Sequence, residues 1–237
     1  MSETGALAVA AGRAEPPRDC ALCPRLRAFI LEQRQLYPDW HNAPVPTFTP
    51  DDPERVRLLV IGLAPGLRGA NRTGRAFTGD WAGDLLYATL LRHGFARGQF
   101  EARPDDSLRP VDCAITNAVR CVPPQNKPTG GEVSTCRAFL DATVARFPRL
   151  TDLLCLGKIS HDSTVRALGA RVATHPFRHG GEFTIERLER WGAGGGGLRL
   201  HSSYHCSRYN TNTGVLTPDM FDRVVARIRE RVGPPPV

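Results

Sequence analysis

Uninterrupted runs of hydrophobic residues alternate along the chain with longer segments in which apolar residues recur every three or four positions. The uninterrupted runs predict buried strands, because a strand covered on both faces carries apolar side chains on both. These strands are Val56–Ile61, Val111–Val119, Asp152–Leu156 and Leu198–Tyr204. A shorter additional strand is predicted at Arg171–Thr174.

The segments with helical periodicity lie between and around these strands. They predict helices within Asp19–Tyr37, Trp81–His93, Glu132–Phe147, Lys158–Leu168 and Thr217–Val232. Strands that alternate with helices indicate a parallel sheet with helices on both faces. We therefore expect an α/β fold with three α/β/α layers around a central, mostly parallel, four-stranded sheet.

The ends of the chain lack such a pattern. Residues 1–18 are rich in Ala, Gly, Pro and Arg and predict a flexible tail, residues 19–232 a single domain, and residues 233–237 a C-terminal tail. No apolar run is long enough to cross a membrane, and an acidic residue precedes the small apolar patch near the N-terminus. We expect a cytoplasmic protein without a membrane partner.

Composition adds two constraints to this picture. The 237 residues carry a formal net charge of +7, which favours a polyanionic partner such as nucleic acid. There are seven cysteines, an odd number, and in a protein expected in the cytoplasm they argue against a disulfide framework.

Four cysteines lie at the ends of predicted elements. Cys20 and Cys23 form a C-x-x-C motif at the first helix, Cys121 follows the second strand, and Cys136 lies near the start of the third helix. Four thiolates hold either Zn²⁺ or a [4Fe–4S] cluster. Zinc sites usually have two tight pairs, and the wide spacing of Cys121 and Cys136 fits the larger cluster somewhat better. Spacing alone leaves both groups open, and also core packing of the same side chains.

A loop rich in Gly and Arg joins the first strand to the second helix. It matches neither the P-loop nor the dinucleotide-binding fingerprint. Its arginines, which include Arg72 and Arg75, attract phosphate. Phe77 either packs back into the core or offers a stacking surface to a flat ligand such as a base. Asp80 is either a helix N-cap or a catalytic carboxylate.

A second polar loop, from His201 to Gly214, follows the last strand. A single histidine is usually structural, but His205 lies in a polar loop at the carboxyl end of a strand and is a candidate for chemistry. Asn117, near the end of the second strand, is expected at the same sheet edge. Its amide either caps a turn or reads a base edge, since it offers a donor and an acceptor together.

Together these segments are similar to the uracil-DNA glycosylase superfamily and resemble its iron–sulfur branch, type 5. The resemblance spans about residues 19–231. It is carried by GLAPG (62–66), NRTGRAFTGD (71–80), ITNAVRC (115–121) and SYHCSRYNTNTG (203–214), with Cys20, Cys23, Cys121 and Cys136 around them. The resemblance favours a [4Fe–4S] cluster over zinc. It implies an enzyme that flips uracil, and other deaminated bases such as hypoxanthine, out of DNA and hydrolyses the N-glycosidic bond.

The resemblance also implies roles for single residues. Phe77 would stack on the flipped base, Asn117 would bond its Watson–Crick edge, and His205 would lie against the base or its sugar. The base-binding set is completed by backbone groups of Gly62, Leu63 and Ala64. DNA contacts are implied for Arg72, Arg75, Lys158, Ser207 and Arg208. The cluster would be structural, and the protein a nucleoid-associated monomer.

Two departures from the family pattern affect these expectations. Ala64 stands where several relatives carry an acidic or amide residue that positions water, which leaves Asp80 as the substitute, either activating water or stabilising the sugar cation. Cys206 stands where proline usually follows the histidine. Two alternatives stay open: a damage-sensing DNA-binding protein that has lost hydrolysis, and an α/β enzyme that binds a free nucleotide.

Overall fold

The computed structural model of the protein describes residues 13–186, 188, 191 and 197–235. Its strands, in chain order, are β1 (Leu58–Gly62), β2 (Ala96–Arg97), β3 (Arg109–Pro110), β4 (Cys113–Asn117), β5 (Asp152–Leu156), β6 (Glu182–Ile185) and β7 (Leu198–Ser203). The short strands β2 and β3 form a separate antiparallel pair. The other five form the central sheet.

The central sheet has the order β4-β1-β5-β7-β6. Its first four strands are parallel, and β6 is an antiparallel edge strand against β7. The register pairs Gly62 with Asn117 and Leu156 with Ser203, the last residues of four parallel strands. The chain therefore leaves all four strands at one edge of the sheet, where ligands bind in open α/β folds.

Helices cover both faces of the sheet. They are α1 (Pro24–Leu36), α2 (Ala70–Thr73), α3 (Trp81–Arg92), α4 (Gly130–Ala145), α5 (Lys158–Ala167), α6 (Arg208–Asn212) and α7 (Pro218–Val232). One hydrophobic cluster joins α3 and α7 to the sheet, and a second joins α4 and α5 to its other face. The predicted three-layer α/β/α fold is confirmed. Among the helices in the described part of the chain, none is long and apolar enough to cross a membrane.

The strand count and one strand were predicted wrongly. In the part of the chain that the structure describes, the sheet has five strands instead of four. The segment predicted as a strand at Arg171–Thr174 forms a short 3-10 helix, Val172–Thr174, and the fifth strand is β6. Only Ile185 of β6 is fully buried. An edge strand with so few buried side chains lacks the apolar run by which the inner strands were recognised.

The two predicted tails lie partly outside the described residues. Residues 1–12 and 236–237 of the predicted tails lie outside the described residues. Glu15 lies within the predicted tail and forms an ion pair of 2.9 Å with Arg120, which is almost completely buried. This part of the segment therefore contacts the body of the protein. The domain boundaries at residues 19 and 232 stay predictions.

Candidate active site

A cavity of about 540 Å³ opens at the carboxyl edge of the parallel strands. Every loop that leaves this edge contributes to its wall. The lining side chains that matter below are Ala64, Phe77, Asp80, Trp81, Asn117, Asn126, Lys158, Ile159, His205, Ser207 and Arg208. The structure thus brings together nine of the predicted site residues, since Leu63 also lies in this wall.

Both environments that the sequence allowed for Phe77, the core and the ligand site, are present in the structure. Its side chain is 6% exposed and belongs to the hydrophobic core, yet it also lines the cavity. Gly62 lies behind it and does not line the cavity. A Cβ atom on Gly62 would lie 2.4 Å from Oδ1 of Asn117 and 2.5 Å from Cζ of Phe77. Glycine at the end of β1 is therefore required for these two side chains to meet.

Asn117 ends β4 with its side chain on the cavity wall. It is 3% exposed, and its amide forms no hydrogen bond with another described residue. A buried amide normally has protein partners, so an unpaired one that faces a cavity indicates a ligand contact. This arrangement argues against a role as a turn cap.

Asp80 stands at the N-cap position of α3 but does not cap it. No hydrogen bond of normal geometry joins its side chain to the first turn, and Oδ1 is buried without a partner among the described residues. Burial raises the pKa of the Asp80 carboxyl, although the nearby N–H groups of Gly83 and Ala82 partly oppose this. A half-buried carboxylate with a raised pKa and an oxygen without a partner is a candidate base.

Two glycines give this carboxylate its place. A Cβ atom on Gly69 would lie 2.4 Å from Oδ2 of Asp80, and one on Gly66 would lie 3.1 Å away. The carboxylate therefore lies directly against the backbone of the glycine-rich loop. At these two positions glycine makes room for the carboxylate of Asp80.

His205 follows β7 and faces Phe77. The two ring centroids are 5.9 Å apart and the ring planes are inclined by 27°. Although the cavity leaves part of the ring accessible, the surrounding protein lowers the pKa of His205 to about 4 by desolvation. The imidazole is therefore neutral at neutral pH. Asn210 donates a hydrogen bond of 2.8 Å from Nδ2 to the carbonyl oxygen of His205 and fixes the loop behind it.

The short helix α6 forms the outer rim of the cavity. The guanidinium of Arg208 lies 5.3 Å from the ring centroid of Trp81, and Nε1 of Trp81 donates to Oγ1 of Thr211 at 3.2 Å. Ser207 caps α6 by accepting a hydrogen bond from the backbone N–H of Asn210. Trp81 itself is 49% exposed. The sequence reading missed both Trp81 and α6.

The residues predicted to contact phosphate differ in whether they line the cavity. Lys158 begins α5 at the cavity rim, is exposed, and forms an ion pair of 2.6 Å with Asp162. Arg72 is exposed but does not line the cavity. The next rim residue, Ile159, is 47% exposed, which is high for an aliphatic side chain. The pattern of apolar residues in α5 did not predict that Ile159 is exposed.

Arg75 was predicted to contact DNA, and the structure corrects this. Its guanidinium is buried and forms two hydrogen bonds of 2.7 Å with the carboxylate of Asp106. It also lies 5.2 to 5.9 Å from the ring centroids of Phe48, Tyr87 and Phe100. A guanidinium with these partners is not available to phosphate. The sequence showed an arginine in a glycine-rich loop but not that Asp106 lies opposite.

The four predicted metal-binding cysteines lie around one small cavity. Cys20, Cys23, Cys121 and Cys136 line it together with apolar residues. Burial, together with the nearby sulfurs of Cys136 and Cys20, raises the pKa of the Cys23 thiol to about 12. The backbone N–H of Arg120 donates to Sγ of Cys136 at 3.4 Å. Within the described residues, no group of three or more Cys, His, Asp or Glu side chains is arranged to hold a metal ion directly.

Comparisons with known proteins agree on one family. The family described as the Uracil DNA glycosylase superfamily matches residues 49–229. A protein named type-5 uracil-DNA glycosylase from Thermus thermophilus is 39% identical over 220 residues, which cover 90% of this chain and 94% of the relative. The proteins of that name from Mycobacterium bovis and Pyrobaculum aerophilum are 37% and 34% identical; the matches cover 90% and 91% of this chain, and 78% and 90% of the relatives.

Proposed function

Because the chain belongs to the uracil-DNA glycosylase superfamily, we propose that it removes uracil from DNA by hydrolysing the N-glycosidic bond in the cavity beside Asp80. The observation that carries this proposal is that Asp80 and Asn117 line one cavity. Oδ1 of Asp80 has no partner among the described residues, and the amide of Asn117 forms no hydrogen bond with any of them. The product is an abasic site, the starting point of base excision repair.

The base is held by one apolar and one polar contact. It lies against the ring of Phe77, because every base has a flat face that stacks on an aromatic side chain. The amide of Asn117 donates to one atom of the base edge and accepts from another. Both side chains occupy the inner wall of the cavity, so the nucleotide must leave the DNA stack to reach them.

Hydrolysis separates two charges that the site must stabilise. As the C1′–N bond breaks, its electron pair leaves with the base, and the sugar becomes an oxocarbenium-like cation. The neutral imidazole of His205 donates a hydrogen bond to an oxygen of the departing base, since a donor near developing negative charge stabilises it. Asp80 lies on the same wall and stabilises the sugar cation or accepts a proton from the water that attacks C1′.

The rim of the cavity carries the DNA contacts. Lys158, Ser207 and Arg208 line its outer part, and exposed Arg72 lies outside it. Positive side chains around the opening hold phosphates on both sides of the flipped nucleotide. Because Asn117 is the one buried amide assigned to the base, hypoxanthine and other deaminated bases are further substrates under this proposal.

The cysteine cavity fits an iron–sulfur group by its donor chemistry. Cys20, Cys23, Cys121 and Cys136 would hold a [4Fe–4S] cluster, and the apolar lining would exclude water from it. When bound, the group supplies a structural cross-link between α1 and the loop after β4. Zinc is the alternative occupant. The cytoplasmic, nucleoid-associated location and the monomeric state remain predictions.

One other function is supported by a specific observation. Ala64 lines the cavity and offers no polar atom of its side chain to water, so a DNA-binding protein that senses damage without hydrolysis is the second candidate. A uracil-containing oligonucleotide separates the two. Strand scission after alkali treatment, with release of free uracil, supports the glycosylase, whereas tight binding without an abasic product supports the sensor. Affinity for free nucleotides alone would contradict both.

A further inference from the structure

Several residues of the active-site cavity have no role in the proposed function, and Asn126 is one of them. Asn126 lines the cavity, yet it belongs to the loop between Cys121 and the helix α4 that carries Cys136. This loop passes the cysteine cavity first and then turns toward the active site. The two cavities are therefore connected by one short segment of chain.

The backbone at this point has an unfavourable conformation. Gln125 has a φ of +56° and Asn126 a φ of +57°, both in the left-handed region. Asparagine is one of the few residues other than glycine that adopts this region readily, whereas glutamine rarely does. Two successive residues keep such a conformation only where their surroundings hold them, and such positions concentrate at functional sites.

A network of hydrogen bonds holds this turn from both sides. Arg25 of α1 donates to both carboxylate oxygens of Glu132 at 2.8 and 2.7 Å, and to the carbonyl oxygen of Lys127 at 3.1 Å. Glu132 in turn accepts from the backbone N–H of Thr129 at 2.7 Å. The turn is therefore tied to α1 and to α4, the two helices adjoining the cysteine cavity.

The side chain of Asn126 takes no part in this network. Asn126 is exposed and its amide forms no hydrogen bond with any described residue, so the amide is hydrated in the free protein and lies at the cavity that Asn117 also lines. A primary amide offers two N–H donors and one carbonyl acceptor. An exposed amide that a constrained backbone holds at the cavity can exchange its water for a ligand that enters the cavity.

We propose that Asn126 is a second amide contact to the flipped nucleotide, and that it contributes to the choice among damaged bases. The inference rests on the proposed function, because the nucleotide enters this cavity only if the protein acts on DNA. It adds a residue that the sequence motifs did not include, and it gives the loop between Cys121 and Cys136 a part in recognition.

The test compares two glycine substitutions in the same turn. Asn126→Gly removes the amide and keeps a residue that tolerates positive φ, while Gln125→Gly relaxes the neighbouring backbone without touching the cavity wall. Affinity for duplexes containing uracil, hypoxanthine or no damage is measured, together with the single-turnover rate. Asn126→Gly is expected to lower affinity for uracil-containing DNA about fivefold to tenfold, leave undamaged DNA unchanged, and alter the ratio of uracil to hypoxanthine. Gln125→Gly should stay within about twofold of the wild type.

Two results would overturn the inference. One is an Asn126→Gly variant with wild-type affinity and rate on both damaged bases, and the other is an equal loss in both variants, which would assign the effect to backbone conformation. A wild type that binds uracil-containing DNA selectively but releases no uracil would overturn the proposed activity alone, because the affinities still test Asn126. A wild type that does not distinguish uracil-containing from undamaged DNA would overturn both.

Discussion

The ring of Phe77 and the imidazole of His205 face each other across the cavity wall, with centroids 5.9 Å apart and planes inclined by 27°. The two rings come from opposite ends of the site, one from the loop after β1 and the other from the end of β7. Under the proposed function, a base that lies on Phe77 would present its edge to the neutral imidazole of His205. The pair would then combine stacking with stabilisation of the leaving base.

Replacing Phe77 tests the stacking surface. Phe77→Leu keeps an apolar side chain in the core but removes the aromatic face, and we expect binding of uracil-containing DNA to weaken by roughly 1–3 kcal/mol. Leucine is preferred to alanine because a large cavity in the core would itself destabilise the fold. Affinity is measured on duplexes with and without uracil. A variant that binds both as the wild type does would return Phe77 to a purely structural role.

The neutral state of His205 predicts a dependence of stability on pH. The unfolded imidazole takes up a proton near its ordinary pKa of 6.5, but the folded one only near 4. The unfolded state therefore binds more protons between these values, and stability falls as the pH is lowered through this window. Between pH 7 and pH 5 the loss from this residue is about 2 kcal/mol. Urea unfolding of the wild type and His205→Asn at both values checks this, and an equal loss in both would refute it.

The buried pair of Arg75 and Asp106 predicts a stability effect without a direct DNA effect. Arg75→Ala leaves the Asp106 carboxylate buried and unpaired, so the free energy of unfolding should fall by about 3–5 kcal/mol. The double variant Arg75→Met with Asp106→Leu should recover much of this loss, because no charge then stays uncompensated. The salt dependence of DNA binding, measured on the double variant, should equal that of the wild type. A reduced salt dependence would mean that Arg75 contacts phosphate after all.

The cysteine cavity predicts a visible chromophore with a structural role. Protein purified without oxygen should be brown, with broad absorbance in the visible range, and Cys121→Ser should lose both colour and stability. The matched control is Cys113→Ser, since Cys113 is fully buried in β4 and does not line the cysteine cavity. If the purified protein is colourless and contains zinc, the bound group is zinc and not an iron–sulfur cluster. Full stability and full DNA affinity after metal removal would contradict the structural role.

The inner strands could be predicted from the sequence because their residues are buried on both faces. β5 was predicted with its observed bounds, Asp152–Leu156, whereas the predicted bounds of β1 and β4 differ from the observed ones although every residue in both strands is buried. The edge strand β6 was missed, since its exposed Glu182 and Thr184 interrupt the apolar pattern. The pattern of apolar residues reflects which side chains are buried. A strand at the sheet edge with one exposed face has few buried side chains, so its apolar pattern is weak.

The sequence predicted the site residues that belong to recognisable motifs. Asp80, Asn117 and His205 converge as expected, because the carboxyl ends of parallel strands meet at one edge. The position of Arg75 could not be predicted, since its partner Asp106 is 31 residues away in the sequence. Asn126 escaped attention for a similar reason: only the turn that carries it shows that it reaches the cavity.

The most direct test of the account is the release of free uracil by Asp80→Asn from a duplex that contains one uracil. Under single-turnover conditions the wild type should release uracil and leave an abasic site that alkali cleaves. Asp80→Asn keeps the size of the side chain, so DNA affinity should be retained while the rate falls by about two orders of magnitude or more. A rate equal to that of the wild type would contradict the assignment of the chemistry to Asp80, and absence of uracil release by the wild type would contradict the proposed function itself.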